Sequence, residues 1–221
     1  MPACIAGMHR SGTSMVARLL NLCGLYLGKD TEFLDRGPDN PEGFAENVRF
    51  REINDQLLAQ LGGGWDFPPT MEPGWELSSD LAPLRSKAAA LLDSYSAYEP
   101  WGWKDPRNSL TLPFWQALIP GLKVVVCLRN PLEVADSLTR RGFSSQAFGL
   151  HLWLTYNQRL LAAVRPEDHI ITHYEAYFTD PVAELARVLA FLEMPATEAV
   201  LERAKVGARP SLRHNRASLQ G

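Results

Sequence analysis

The first two dozen residues constrain the fold of this chain more than any other stretch. Ala3 to Ala6 is a short apolar run that reads as a buried parallel strand and ends in Gly7. Gly7-Met-His-Arg-Ser-Gly-Thr-Ser14 follows, with the spacing G-x-x-x-x-G and two hydroxyl residues behind the second glycine. Met15, Leu19, Leu20 and Cys23 then repeat at helical spacing, so Ser14 to Cys23 is expected to be a helix stopping at Gly24. A strand, a glycine loop and a helix in this order form a cradle for phosphate. Glycines let backbone N–H groups approach an anion, and the helix N-terminus adds a partial positive charge.

The rest of the chain alternates in the same way. Helices are expected at Val48–Leu61, Leu81–Tyr95, Leu110–Leu118, Leu132–Arg140, Gln146–Val164, Pro181–Leu192 and Thr197–Val206. Strands are expected at Trp101–Lys104, Lys123–Leu128 and His169–His173, the second being the clearest buried strand. Alternation predicts an α/β fold, with a central parallel sheet flanked by helices on both faces, in one domain over residues 1–221. Residues 28–47 read as a long polar loop. Trp65 to Leu77, with three prolines and two tryptophans, reads either as a lid or acceptor wall or as a surface excursion pinned by its tryptophans.

Composition narrows the function. With 22 Lys+Arg against 25 Asp+Glu the net charge is −3, which argues against a general nucleic-acid binder but leaves room for a local basic pocket. Cys4, Cys23 and Cys127 form no C-x-x-C pair and lie in apolar runs, as ordinary buried thiols do. No signal peptide opens the sequence, and no apolar run reaches the roughly 20 residues of a membrane span, so the expected location is cytoplasmic.

A nucleoside-triphosphate loop would carry Lys after its second glycine, to reach the outer phosphates beside Mg²⁺. Thr13 stands there instead, and the cation is Arg10, two residues before Gly12. A shorter 5'-phosphosulfate, needing no metal, fits this loop better. Arg10-Ser11-Gly12-Thr13-Ser14 resembles the first loop of the sulfotransferases that use 3'-phosphoadenosine 5'-phosphosulfate (PAPS), with His9 in place of the family's usual proline. The nearest likeness is to the carbohydrate, tyrosylprotein and bacterial members. The resemblance implies a three-layer fold like that of the P-loop NTPases. It further implies that His9, Ser11 and Gly12 belong to the cofactor loop and that Arg10 contacts the sulfuryl and bridging oxygens. Thr13 and Ser14 would hold the 5'-phosphate.

Leu128-Arg129-Asn130-Pro131 follows the clearest strand, and an arginine at a strand's carboxyl end is well placed for a ligand in the crevice of an open α/β sheet. Its planar fork suits a phosphate, and Pro131 suits a helix's first turn. In the family such an arginine, with a serine eight residues later, takes the 3'-phosphate, which implies Arg129 and Ser137 here. Tyrosylprotein-type members add an arginine four residues on, matching Arg141. Trp103-Lys104-Asp105-Pro106-Arg107 resembles a family Lys-Asp-Pro segment, implying Lys104 as a second cation on the sulfuryl group. Ile171-Thr-His-Tyr-Glu175 resembles the Tyr-Glu segment, implying Tyr174 near the adenine.

Sulfuryl transfer also needs a base for the acceptor's proton. No histidine lies between His9 and His151, so the histidine of many small-molecule members has no counterpart. Carbohydrate- and protein-modifying members use a glutamate after the first helix. Glu42 and Glu46 qualify, with Glu32 slightly upstream, and Glu46 is favoured because it closes the loop just before a helix. The basic stretch Lys205 to Arg216 either folds over the 3'-phosphate through Arg209 and Arg213 or is a flexible tail; the family's Arg-Lys-Gly segment is absent. The expected activity is sulfuryl transfer from PAPS to a hydroxyl or amine on a small-molecule, carbohydrate or peptide acceptor. A kinase of P-loop fold and a non-catalytic nucleotide-binding module are the alternatives. Trp65, Trp75, Trp101, Trp103, Trp115 and Trp153 are either core or the lining of an aromatic or sugar pocket.

Overall fold

Strand β1 (Ala3–Ala6) lies at the middle of the molecule with every residue buried. It pairs in parallel with β2 (Gly102–Lys104) on one side and β3 (Lys123–Leu128) on the other; β4 (His169–His173) pairs with β3. The sheet order is β2-β1-β3-β4, all parallel. This computed structural model describes residues 2–34, 43, 45–142 and 145–205.

Side chains alternate across a strand, so odd and even residues of β1 and β3 serve opposite layers. Ala3, Ile5, Val125 and Cys127 pack with helix α1 (Thr13–Leu22). Cys4, Ala6, Val124 and Val126 pack with α2 (Val48–Gln60), α3 (Ala82–Asp93) and α4 (Asn108–Leu118). Helices α5 (Pro131–Thr139) and α6 (Gln146–Ala163) follow β3; α7 (Ala176–Thr179), α8 (Pro181–Phe191) and α9 (Glu198–Lys205) follow β4. Leu185, Val188 and Leu189 of α8 join the α1 layer. Helix–sheet–helix is the three-layer α/β arrangement the alternation predicts.

Most element ends fall within two residues of the sequence expectation. Helix α4 starts at Asn108 rather than Leu110, because Asp105 accepts the Arg107 backbone N–H at 2.9 Å and the Asn108 N–H at 3.1 Å, opening the turn early. The single turn α7 is too short to show a period and was not expected. Trp101, Trp103 and Trp115 are core, stacked around Phe50, rather than pocket lining. All three cysteines are buried thiols. Among the described residues no helix is long and apolar enough to cross a membrane.

The short strand β2 leans on β1 through a glycine. A Cβ built on Gly102 would lie 2.3 Å from the Ala3 carbonyl oxygen, a backbone atom that cannot move without parting the two strands. Gly102→Ala is therefore expected to cost about 3 kcal/mol, or about 6–12 °C in Tm by calorimetry. A change within 2 °C would show that β2 shifts freely.

Candidate active site

The loop between β1 and α1 is held in a left-handed path. Arg10 has φ 71° and Gly12 φ 85°. Such a φ costs a non-glycine residue about 1–3 kcal/mol, so it persists only where neighbours enforce it. Here the Arg10 carbonyl accepts from Arg129 Nη1 at 3.0 Å, and Arg10 Nε donates to Ser137 Oγ at 2.8 Å. Gly12 is required for a different reason: a Cβ there would lie 2.2 Å from the Tyr174 ring. The Gly7 N–H donates to Ser109 Oγ of α4 at 3.0 Å, fastening the start of the loop. Ser11 and Thr13 are buried, and Ser11 Oγ has no hydrogen-bond partner among the described residues, which suits a hydroxyl awaiting a ligand oxygen. The first-turn N–H groups of α1 lack intrahelical acceptors.

Arg129, at the end of β3, is buried and clamped on three sides. Its Nε and Nη2 donate to Glu133 Oε2 at 3.0 and 2.9 Å, its Nη1 reaches the Arg10 carbonyl, and its Cζ lies 4.3 Å from the Tyr174 ring centre. Asn130 caps α5 by accepting the Leu132 N–H at 2.9 Å, with Pro131 in the first turn, which sets Ser137 two turns along the same helix. The Trp153 indole donates to the Arg129 carbonyl at 3.1 Å. The loop arginine and the strand-end arginine thus meet at the carboxyl ends of β1 and β3, with Ser137 bonded to the first.

A second cationic group lies beside β2. Lys104, paired in register with Ile5, is buried, and its Nζ is 2.8 Å from Glu46 Oε1. Glu46 Oε2 is also approached by Arg107 Nη1 at 3.7 Å. Arg107 is committed further: Nη1 lies 3.0 Å from Asp105 and Nε pairs with Asp55 on α2. Asp105 is fully buried and accepts from Asn54 Nδ2 at 3.0 Å. Asn54 in turn donates to Asn108 and accepts from Thr111 Oγ1 at 2.7 Å and Trp115 Nε1 at 2.9 Å, so both its donors and its acceptor are used. Tyr95 fixes the other flank. It donates to Glu32 Oε2 at 3.0 Å and accepts from Asn47 Nδ2 at 2.6 Å, while Asn47 caps α2 through Arg49.

The sequence-derived residues divide accordingly. His9, Arg10, Ser11 and Gly12 lie in the loop and Thr13 and Ser14 open α1; Arg129, Ser137 and Tyr174 meet them; Lys104 meets Glu46. Glu32 does not join them, because Tyr95 and the Lys29 N–H take its carboxylate. Glu42, Arg209 and Arg213 lie outside the described residues. Arg107, Asp105, Asp55 and Asn54 were not singled out as site residues. Their only trace in the sequence is the Lys-Asp-Pro-Arg run itself, since their partners sit some fifty positions away.

Charge accumulates around His9. Its ring packs 4.6 Å from Trp65 and 6.0 Å from Tyr156, with Nε2 buried and lacking a hydrogen-bond partner among the described residues. Burial, then the charges of Arg107, Lys104, Arg141 and Arg10, hold its pKa well below 6.5. Arg141 is lowered to about 10 by burial and by Arg10, and Arg10 itself is lowered by burial and by Arg129. For Arg107 burial opposes the charge, but Asp105, Asp55 and Glu46 outweigh it and raise its pKa. Arg10 and Arg141, each lowered beside another arginine, mark a focus of positive potential, relieved by an anion seated there.

The sign of the His9 effect on stability follows. Unfolded His9 takes a proton near pH 6.5 while folded His9 resists it, so the unfolded state binds more protons below that pH and stability falls as pH drops. Between about pH 6.5 and 5 the wild type is expected to lose about 1–2 kcal/mol more than His9→Asn, read from Tm across the window. Parallel slopes would mean that His9 titrates normally in the fold.

Residues 2–198 match the model of the sulfotransferase family. No curated protein matches the sequence. Among solved structures, the sulfotransferase domain of the Synechococcus PCC 7002 olefin synthase has a TM-score of 0.62 at 20% identity, over 100% of this chain and 90% of that one. Sulfotransferase STF9 from Mycobacterium avium has a TM-score of 0.58 at 15% identity, over 93% and 67%. Mouse sulfotransferase SULT7A1, crystallised with PAP, has a TM-score of 0.54 at 15% identity, over 98% and 68%. At these identities the likeness is one of fold, and the family match carries the assignment: the chain belongs to the sulfotransferase family.

Proposed function

We propose that this chain transfers the sulfuryl group of PAPS to a hydroxyl or amine of a small-molecule, carbohydrate or peptide acceptor. One observation carries the reading. Two cationic sites are tied into a single crevice, Arg10 by its 2.8 Å hydrogen bond to Ser137 and Arg129 by its 3.0 Å hydrogen bond to the Arg10 carbonyl. A nucleotide phosphorylated at both 5' and 3' positions needs that pairing; ADP or ATP does not.

The residues fit such a ligand. Ser11 Oγ is a buried hydroxyl with no partner among the described residues, Arg10 lowers the pKa of Arg141, and Arg129 lowers that of Arg10. Bound there, PAPS would supply an activated sulfuryl group on a phosphate leaving group. The α1 N–H groups with Thr13 and Ser14 would hold the 5'-phosphate, and Arg129, Ser137 and Arg141 the 3'-phosphate. Arg129 retains donors for this: three of its five N–H groups are committed to Glu133 and Arg10, leaving one on each terminal nitrogen. Tyr174, lying against Gly12 and Arg129, would flank the adenine. Arg10 and Lys104 would face the oxygens on which charge grows, as preorganised donors. Glu46, buried beside Lys104, would take the acceptor's proton on its carboxylate.

The neighbour crystallised with PAP supports the nucleotide class, since its fold is shared across 98% of this chain. The test is calorimetric titration with PAP (3'-phosphoadenosine 5'-phosphate), with ADP and ATP–Mg²⁺ as controls. Binding that needs the 3'-phosphate is expected, weakened about 30- to 1000-fold by Arg129→Ala as charge-assisted hydrogen bonds are lost. Native-like affinity in that variant would remove Arg129 from the 3'-phosphate. A preference for ATP–Mg²⁺ would overturn the reading in favour of a kinase.

A further inference from the structure

The chain folds back on itself as it leaves α2. Gly62 and Gly63 finish the helix by donating to the Ala59 and Leu58 carbonyls at 3.0 and 2.9 Å. The Gly64 N–H then donates to the Phe67 carbonyl at 2.9 Å, closing a tight turn over residues 64–67. This turn lies directly on Gly63. A Cβ there would be 2.4 Å from the Phe67 carbonyl oxygen and 2.7 Å from the Pro69 nitrogen, both backbone atoms. Farther on, Met71 packs against the cluster that holds Leu58, Leu110 and Tyr156, which anchors the far end.

Between these anchors the turn is tied to α6 and to the phosphate loop. The Trp65 carbonyl accepts from the Tyr156 hydroxyl at 2.6 Å, and the Trp65 ring lies 4.6 Å from that of His9. Tyr156 is a fixed post, since its ring is fully buried on α6. At the tip of the turn, Phe67 is 72% exposed, so closure buries little of its largest apolar side chain. Segments with little apolar burial open locally at low free energy.

What lies under the turn is unfavourable to cover. His9 Nε2 is buried with no hydrogen-bond partner among the described residues. A buried polar atom left unpaired is costly, and each one in a native fold calls for an explanation. His9 is joined to Arg10 by one peptide bond, so Trp65 rests on the loop immediately beside the arginine that would face the sulfuryl group.

We propose that residues 64–70 are a lid, hinged at Gly63 and latched by the Tyr156–Trp65 hydrogen bond, which closes over His9 and opens to admit the acceptor beside Arg10. Opening breaks the latch but hydrates His9 Nε2, which brings the two states closer in free energy. What enters rests on the PAPS reading; the motion does not.

The test reads access to His9 with diethyl pyrocarbonate, which acylates unprotonated imidazole. Burial and the charges of Arg107, Lys104, Arg141 and Arg10 keep His9 neutral at neutral pH, so its rate reports access. Peptide mass spectrometry follows each histidine, with exposed His151 as the internal standard. Wild-type His9 is expected to react more slowly than His151; an equal rate overturns the lid. Tyr156→Phe removes the latch and keeps the ring, whereas Gly63→Ala puts a methyl group where the closed turn sits. The first is expected to speed His9 about 2- to 12-fold, as the net worth of one hydrogen bond implies, and the second at least as much. Cys4 and Cys127, buried in the sheet, stay silent to a thiol reagent unless the whole fold opens. Faster reaction at His9 with both thiols silent supports the lid. An unchanged rate in both variants overturns it, as does a rise that comes only with the thiols.

Water is the smallest hydroxyl acceptor, so hydrolysis of PAPS reports the same opening at the reacting end. Water oxygen attacks sulfur as the bond to the phosphate breaks, releasing PAP, sulfate and a proton. That rate is expected to rise in both variants by the factor seen at His9. An uncovered His9 with unchanged hydrolysis, in a protein that binds PAP, overturns the lid's place on the acceptor side. If PAP does not bind the wild type, the PAPS reading fails, and the His9 rates still decide the motion.

Discussion

Like charge held together inside a fold is the constraint on which the rest of this molecule depends. Arg10, Lys104, Arg107 and Arg141 all act on one histidine ring, and Arg129 stands beside Arg10. Without restraint such groups would swing into solvent, since a surface arginine loses little by doing so. Here four of them are restrained from two sides, by α5 and by the α2 end of the crevice. Arg10 is pinned by Ser137 on α5, Arg129 by Glu133 one turn along that helix, Arg107 by Asp55 on α2, and Lys104 by Glu46 before α2. The parallel sheet makes this possible, because it delivers the ends of β1, β2 and β3 to one edge while helices on both faces bring the counter-charges down to it.

The acids are not spread evenly over this cluster. Glu133 serves Arg129 from four residues away on the same helix, a local and fixed pairing. The α2 side carries Glu46, Asp55 and Asp105 against Lys104 and Arg107, three carboxylates against two cations. A crevice with one end rich in cations and the other in carboxylates is polarised. An anionic donor favours the first end, and a group that must lose a proton favours the second. The polarity exists because α2 is locked to α4 through Asn54, whose hydrogen bonds are all made inside the core.

Local order was legible in the sequence; long-range charge pairing was not. Strands β1, β3 and β4 ran between the expected residues, because buried parallel strands are apolar runs bounded by turns and need no partner to be recognised. The loop from Gly7 and the strand-end Arg129 were legible for a similar reason: their chemistry is written in consecutive residues. Arg107 was not, since its meaning lies in Asp55 and Glu46, 52 and 61 positions upstream, and no periodicity links them. Likewise the sequence favoured Glu46 over the upstream Glu32 only for closing the loop before a helix, with no sign of either one's partner. The fold supplies those partners, Tyr95 to Glu32 and Lys104 to Glu46.

The stretch after α2 follows the same logic on the opposite wall. Trp65 lies over His9, its carbonyl accepts from Tyr156 of α6 at 2.6 Å, and Met71 lies 3.9 Å from Arg159. The sequence left this segment open between a lid or acceptor wall and a surface excursion pinned by its tryptophans; its first half packs over His9 through Trp65, while Phe67 and Leu77 are exposed. A wall that excludes water from His9 lowers the local dielectric, and lower dielectric strengthens every charge interaction beneath it. The same covering that costs the protein a protonatable histidine therefore sharpens the field of Arg10 and Lys104. Packing on this face and charge on the other are one device, and neither would work if the loop between them were free to change its path.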